Sequence, residues 1–252
     1  MSAAPRLFVD LDLSPGSRIV LRDEAAHYLG RVLRLGPGDR VRVFNGREGE
    51  ALSSLAALGR DRVELDIEAI IRPQTSAPDL WLLFAPLKKT RTDFLIEKAT
   101  ELGVSELRPV LTARCEAQSV RNDRLFRIAV EASEQCERLD VPTIREPLSL
   151  SAALSGWDPT RPLFVCEEGE ETSPGVRVRA RPMAEVVREV GSPAAAILIG
   201  PEGGWTPHER NHLTQLSFVR PVSLGARVLR AETAALAALA LWQGLIGWGR
   251  TG

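Results

Sequence analysis

The sequence predicts a chain in two parts: a small, mainly β barrel at the amino end, then a larger α/β part built on a parallel sheet with helices on both faces. Apolar and polar residues alternate with a period of two in the first 70 or so residues. Beyond them, short and wholly apolar runs alternate with helical patterns, as expected where strands are buried on both faces. Between the two lies Arg72-Pro73-Gln74-Thr75-Ser76-Ala77-Pro78, a segment of linker composition. The expected division is a small domain at residues 1–72, a linker at 73–79 and a larger domain at 80–252.

In the first part, Asp23 is placed to cap a short helix carrying Ala26, Leu29, Val32 and Leu33. Gly36-Pro37-Gly38-Asp39 is a turn, Val41 and Val43 alternate with arginines, and Asn45-Gly46 signals a hairpin. Val63, Leu65 and Ile67 alternate with acidic residues, the pattern of a half-buried strand. In the second part, Trp81 to Leu87 is a continuous apolar run and reads as a buried strand. A helix from Thr92 to Leu102 follows, with Leu95, Ala99 and Leu102 on one face and Gly103 just beyond its end. Residues Asp123 to Leu139 read as a longer helix, and Leu163 to Cys166 and Ala195 to Ile199 as further strands. The stretch Ala234 to Ile246 is apolar nearly all round, so it is expected in the core or against a partner subunit.

Composition excludes several classes. With 252 residues, 44% hydrophobic, 26% charged and a formal net charge of -1, the chain can bury a sizeable core and is not a disordered polymer. That balance advertises no nucleic-acid partner, although a local basic patch can hide beneath it. Only Lys88, Lys89 and Lys98 among the 32 basic residues are lysines. Cys115, Cys136 and Cys166 are odd in number and widely spaced, which suggests neither a disulfide framework nor a cysteine metal site. No signal peptide is visible, and Ala234 to Trp248, interrupted by Gln243, falls short of a bilayer span. A soluble, cytoplasmic protein is expected.

Four segments hold candidate chemistry. His208-Glu209-Arg210-Asn211-His212 satisfies the H-E-x-x-H zinc-hydrolase pattern, with His208 and His212 as ligands and Glu209 as base. Yet Thr206-Pro207-His208-Glu209 also reads as a helix start, with Thr206 at the N-cap and Glu209 closing a capping box, and no later histidine offers a third ligand. No metal is therefore expected. Leu198-Ile199-Gly200-Pro201-Glu202-Gly203-Gly204 ends an apolar strand, where open α/β sheets bind ligands. It has no phosphate-loop pattern, and Glu202 favours a ligand that is neutral or positive there. Leu224 to Ala234 leads into the last helix and brings Arg230 and Glu232 to its entrance, where a mutual ion pair is the plain structural alternative. Finally, Lys88-Lys89-Thr90-Arg91 lies at the carboxyl end of the Trp81 strand and suits a nucleic-acid backbone, with Arg121, Arg124 and Arg127 able to extend the basic face.

Gly200 to Gly204, followed by Leu224-Gly225-Ala226-Arg227-Val228-Leu229-Arg230-Ala231-Glu232-Thr233-Ala234, resembles the cofactor-binding segments of the SPOUT RNA methyltransferases. The chain is most similar to the bacterial 16S ribosomal RNA uracil-N3 methyltransferase group (RsmE-like). The likeness extends to Arg6 to Val9 and His27 to Arg34 in the small domain, and to Glu97 to Val104 and Glu131 to Arg138 in the larger one. Ala226 stands where members often have proline, and Glu137 where they often have glycine.

The resemblance implies a PUA/OB-like barrel, a deep trefoil knot in the carboxyl-terminal half, and a homodimer acting on 16S ribosomal RNA in the assembled small subunit. It implies an S-adenosyl-L-methionine site made by Leu198, Ile199, Gly200, Pro201, Glu202, Gly203, Gly204, Leu224, Gly225, Val228, Leu229, Arg230 and Thr233. Arg230 and Glu232 are the expected catalytic pair. Arg31, Arg34, Lys88, Lys89, Arg91, Arg114, Arg121, Arg124 and Arg138 are the expected RNA contacts. Other expectations left open are a different ribosomal or transfer RNA target, an RNA-binding protein without chemistry, and the zinc hydrolase above.

Overall fold

Alternation of apolar and polar residues builds the amino-terminal sheet of the computed structural model, which describes residues 4–117, 119–167, 169–173, 176–178 and 180–247. The chain forms two compact units, Met1–Ser76 with Ser133–Val141, and Ala77–Ala132 with Pro142–Gly252.

The first unit contains β1 (Arg6–Phe8), β2 (Arg18–Arg22), α1 (Asp23–His27), β3 (Arg40–Phe44), β4 (Glu50–Leu58) and β5 (Arg62–Arg72). They form a curled five-stranded sheet in the order β1-β3-β4-β5-β2, parallel between β1 and β3 and antiparallel elsewhere. Val41, Val43, Val63, Leu65 and Ile67 point into its core. Outside, Arg18 pairs with Asp66, its partner in register, at 2.6 Å. The short helix departs from expectation. Arg22, not Asp23, holds the N-cap, and Asp23 has a φ of 50°. A π-helical turn, Tyr28–Val32, follows, closed by Leu33 N–H donating to Tyr28 O at 2.9 Å. With more residues in the turn, Leu29 stays buried but Val32 turns outward to 57% exposure.

Buried Arg6 organises this unit. It donates to Glu50 Oε1 at 2.5 Å, to Ser133 O at 2.7 Å and to Arg138 O, with Phe44 under its guanidinium. These carbonyls lie at and beyond the carboxyl end of a helix, where a cation is favoured. Glu137 just past that end sits at φ 60°, a left-handed position, and its carboxylate pairs with Arg42 at 3.1 Å.

The second unit contains β6 (Leu80–Phe84), α2 (Lys89–Glu101), β7 (Glu106–Leu111), α3 (Asn122–Gln135), β8 (Thr143–Ile144), β9 (Leu148–Ser149), α4 (Leu150–Leu154) and β10 (Leu163–Cys166). It continues with β11 (Glu170–Ser173), β12 (Val176–Val178), α5 (Met183–Val190), β13 (Ala195–Ile199), α6 (Pro207–Thr214), β14 (Val219–Val222) and α7 (Ala231–Trp242). The parallel sheet runs β14-β10-β13-β6-β7-β8, with β9 pairing farther along β7; β11 and β12 form a separate antiparallel pair. Leu83, Leu163, Val165, Ala196 and Leu198 pack with residues of α4 and α6 on one face. The alternate residues Leu82, Phe84, Phe164 and Ile197 are buried too, and α7 packs against β13 and α2. Covering both faces is what makes these strands read as unbroken apolar runs.

Several expected boundaries shift: helix α3 ends at Gln135 rather than Leu139, and strand β6 ends at Phe84 rather than Leu87. Helix α2 begins at Lys89 rather than Thr92, so the Lys89 to Arg91 cluster is helical. Helix α7 begins at Ala231 and passes after Trp242 into a π-helical turn, Gln243–Gly247. Gln243, the polar break in that apolar stretch, is 1% exposed and donates to Leu102 O at 2.6 Å, so it caps the end of α2. No helix among the described residues is long and apolar enough to cross a membrane.

Candidate active site

Strand register decides which loops meet. Cys166 of β10 lies level with Ile199 of β13 on one side and Val222 of β14 on the other, so the segments after all three leave from one rim. Parallel strands place their ligand sites at this end. Here the three segments enclose a cleft of about 360 Å3.

The glycine-rich loop forms one wall. Gly204 N–H donates to Pro201 O at 2.9 Å, and the chain folds back over Trp205. A β-carbon on Gly200 would lie 2.8 Å from the Trp205 ring, so this approach admits no side chain. Immediately afterwards α6 starts with Thr206 at the N-cap, Pro207 at N1 and Glu209 closing the capping box. The opposite wall is Leu224 to Leu229 with the start of α7, for which Arg230 is the N-cap.

Of the expected cofactor residues, Ile199 to Glu202, Gly204, Leu224, Gly225 and Val228 to Arg230 line the cleft. Leu198 is wholly buried in the core, Gly203 accepts from Arg114 at 3.0 Å, and Thr233 is exposed on the first turn of α7; none of these three lines it. Sequence reasoning missed Cys166, Glu167, Gly169, Trp205, Arg210 and Arg227. The first three were within reach, because the segment after an apolar strand shares the rim of its parallel neighbours. Burial, with a smaller push from Glu167, raises the Cys166 thiol to about 12.

Arg230 and Glu232 do not pair with each other. Arg230 is exposed on the cleft wall and, among the described residues, has no ion pair. Glu232 turns the other way, its Oε2 3.9 Å from Arg91 Nη1 and without a hydrogen-bond partner among the described residues. Arg91 also donates to Glu202 and, at 2.7 Å, to Glu116. The hydrogen bond to Glu202 leads the causes that raise Arg91 above its ordinary range.

The other expected RNA contacts divide by environment. Lys88 and Lys89 are exposed at the start of α2, Lys88 being 3.8 Å from Glu116. Arg121 pairs with Asp123 at 2.7 Å, and Arg124 with Asp93. In the first unit Arg31 and Arg34 are exposed, whereas Arg138 pairs with Asp140 at 2.8 Å and is largely covered.

The zinc reading is not favoured. Glu209 Oε1 accepts from Ala113 N–H at 2.9 Å, and its Oε2 accepts from Thr206 N–H at 2.9 Å and Thr206 Oγ1 at 2.8 Å. Both oxygens are committed to structure. No group of three or more His, Cys, Asp or Glu residues among the described residues could hold a metal ion.

A doubly covered parallel sheet with a ligand cleft at its carboxyl rim, joined to a small curled β unit, defines a two-domain α/β ligand-binding protein. Residues 74–243 match the model of the RNA methyltransferase domain, and residues 21–68 that of the RNA methyltransferase PUA domain. The ribosomal RNA small subunit methyltransferase E of Rickettsia conorii is 30% identical over 236 residues, covering 93% of each chain. That of a Synechocystis species is 32% identical over 241 residues, 94% of this chain and 76% of the other. Among solved structures, a ribosomal RNA small subunit methyltransferase E from Neisseria gonorrhoeae, bound to S-adenosyl methionine, superposes with a TM-score of 0.82 at 29% identity, covering 97% of this chain and 98% of that one. A Legionella pneumophila methyltransferase holding the same cofactor gives 0.82 at 28%, over 98% and 99% of the two chains. The chain belongs to the RNA methyltransferase family typified by ribosomal RNA small subunit methyltransferase E.

Proposed function

We propose that this chain transfers a methyl group from S-adenosyl-L-methionine to N3 of a uracil in 16S ribosomal RNA, in the assembled small subunit and in the cytoplasm. The observation that carries the reading is the cleft between the Gly200 loop and the Leu224 to Arg230 segment, at the carboxyl rim of β10, β13 and β14. Its volume of about 360 Å3 falls in the range of small-molecule sites. Apolar side chains line it together with the carboxylates of Glu167 and Glu202 and the guanidinium groups of Arg210, Arg227 and Arg230, a mixed set suited to a flat heterocycle that carries both a cationic centre and a carboxylate. When bound, S-adenosylmethionine supplies a methyl group already activated on a sulfonium, so positioning accounts for much of the rate.

The chain's own residues supply the rest. Arg230, exposed on the cleft wall, stabilises negative charge developing on the uracil oxygens. Glu232, two residues on and held beside Arg91 just behind the cleft lining, receives the N3 proton through a water. Lys88 and Lys89 hold RNA phosphates, and Arg31 and Arg34 of the small unit bind RNA farther from the target. Residues 1–72 form the RNA-binding domain and 80–252 the methyltransferase domain, joined at 73–79. The three rim segments cross as a trefoil knot, and the nearly all-apolar α7 supports a homodimer through its exposed Leu241.

Mass spectrometry of ribosomal RNA nucleosides from a strain lacking the gene tests the reading. Loss of 3-methyluridine, restored by the wild-type gene but not by Arg230→Ala, is expected. An unchanged nucleoside profile would reject it.

A further inference from the structure

We propose that Arg91 is a positioning residue for methyl transfer rather than an RNA contact: it ties the glycine-rich loop to the first turn of α7 through Glu202 and Glu232. The inference rests on the function proposed above and adds a residue to it.

One guanidinium meets carboxylates from three separate segments. Arg91 Nη1 donates to Glu202, in the loop after β13, and lies 3.9 Å from Glu232, in the first turn of α7. Nη2 donates at 2.7 Å to Glu116, in the segment after β7, and Arg91 itself follows β6. A single side chain thus links segments following four parallel strands. A planar fork of donors suits this role, because each terminal nitrogen can face a different acceptor. Glu202 lines the cleft, as do Arg230 and Ala231 on the near side of Glu232, so the links fix the spacing of its two walls.

The same geometry argues against a phosphate grip. The side chains of Arg91 and Glu232 are only 22% and 13% exposed, and both terminal nitrogens of Arg91 are directed at carboxylates. A phosphate approaching Arg91 would meet three negative groups first. Lys88, although 3.8 Å from Glu116, keeps its side chain 76% exposed, and Lys89 is exposed beside it at the start of α2. Lysine at position 91 would keep the charge but present one compact ammonium where three carboxylates need spanning.

The test uses the full-length protein as wild type, Arg91→Ala and Arg91→Lys. S-adenosylmethionine affinity is measured by calorimetry, small-subunit affinity across a salt series, and kcat and cofactor KM by methyl transfer. Arg91→Ala is expected to weaken cofactor binding and to lower kcat/KM for the cofactor by about a hundredfold. Small-subunit affinity and its salt dependence should stay at wild-type values. Arg91→Lys should recover only part of the loss, and it keeps the test open if the alanine variant fails to fold. Glu202→Gln should act non-additively with Arg91→Ala on cofactor affinity, which independent structural damage would not produce. The inference is overturned if cofactor affinity and kcat/KM are unchanged. It is equally overturned if the loss falls on small-subunit binding, with a salt slope shallower by about one, as for a phosphate contact. Failure of the wild-type protein to bind cofactor would instead reject the function on which the inference rests.

Discussion

Replacing Glu209 by alanine separates the structural account of the H-E-x-x-H segment from the catalytic one. The carboxylate accepts three hydrogen bonds at 2.8 to 2.9 Å, from Ala113 N–H, Thr206 N–H and Thr206 Oγ1. Alanine leaves only the bond from residue 209's own N–H to Thr206 Oγ1, 3.2 Å in the native chain. The threonine hydroxyl can turn to water, so the main loss falls on two backbone donors deprived of a charged acceptor. At roughly 1.5 kcal/mol each, the expected destabilisation is about 3 kcal/mol. For a protein of this size that lowers Tm by about 6 to 12 °C. Burial works to raise the Glu209 carboxyl, but these hydrogen bonds outweigh it and hold the group below its ordinary 4.5. Its stabilisation is therefore complete above about pH 4.5 and is lost as pH falls through the lower folded-state value. Calorimetry of wild type and Glu209→Ala from pH 7 downward should show two Tm curves that converge in acid, unaffected by zinc or a chelator. A difference below about 1 kcal/mol at pH 7, or a wild-type Tm that falls on chelation, would refute the reasoning.

Three further outcomes are expected. Gly200→Ala places a methyl group 2.8 Å from the buried Trp205 ring; it should weaken S-adenosylmethionine binding by about tenfold, measured by calorimetry, and wild-type affinity would show that the loop yields freely. Arg6→Met should cost about 3 kcal/mol in urea unfolding, because Glu50, 0% exposed, keeps only the more distant Arg72 and Arg42 at 3.3 and 3.8 Å. Adding Glu50→Leu should recover part of that loss, and no recovery would count against a burial effect. With its thiol near 12, Cys166 should be alkylated by iodoacetamide at pH 8 far more slowly than exposed Cys136, as peptide mass spectrometry can check; equal rates would contradict the raised value.

Local periodicity made most of the fold legible, because burial on one face or two leaves its mark within a few residues. Val63, Leu65 and Ile67 alternate and lie in one core; Ala195 to Ile199 do not alternate and are buried throughout. The capping box at Thr206 and Glu209 was legible for the same reason, its partners being three residues apart. Val32 was misplaced because a π-helical turn breaks the 3.6-residue period on which the expectation rested. Two walls of the cleft were visible as motifs. The third, with Cys166, Glu167 and Gly169, has no motif and is brought in by strand register alone.

What local pattern cannot convey is where a guanidinium goes. Arg91 and Glu202 are 111 residues apart in sequence, and Arg124 finds Asp93 across 31. In a chain with 32 basic and 33 acidic residues, of which only three are lysines, an arginine meets a carboxylate so often that a basic cluster says little about RNA until its partners are known. The structure sorts the expected RNA contacts on this basis. Arg91, Arg124 and Arg138 are drawn into ion pairs and partly or largely covered, while Lys88, Lys89, Arg31 and Arg34 stay exposed. Exposure rather than residue type makes the division: Lys88 stays 76% exposed although it lies 3.8 Å from Glu116, whereas Arg124 and Arg91, at 26% and 22%, are held against their carboxylates. It follows that Lys88→Ala and Lys89→Ala together should reduce the salt dependence of small-subunit binding by about two in slope, whereas Arg124→Ala should leave it unchanged. If Arg124→Ala lowered the slope and the lysine pair did not, the sorting by side-chain exposure would be wrong.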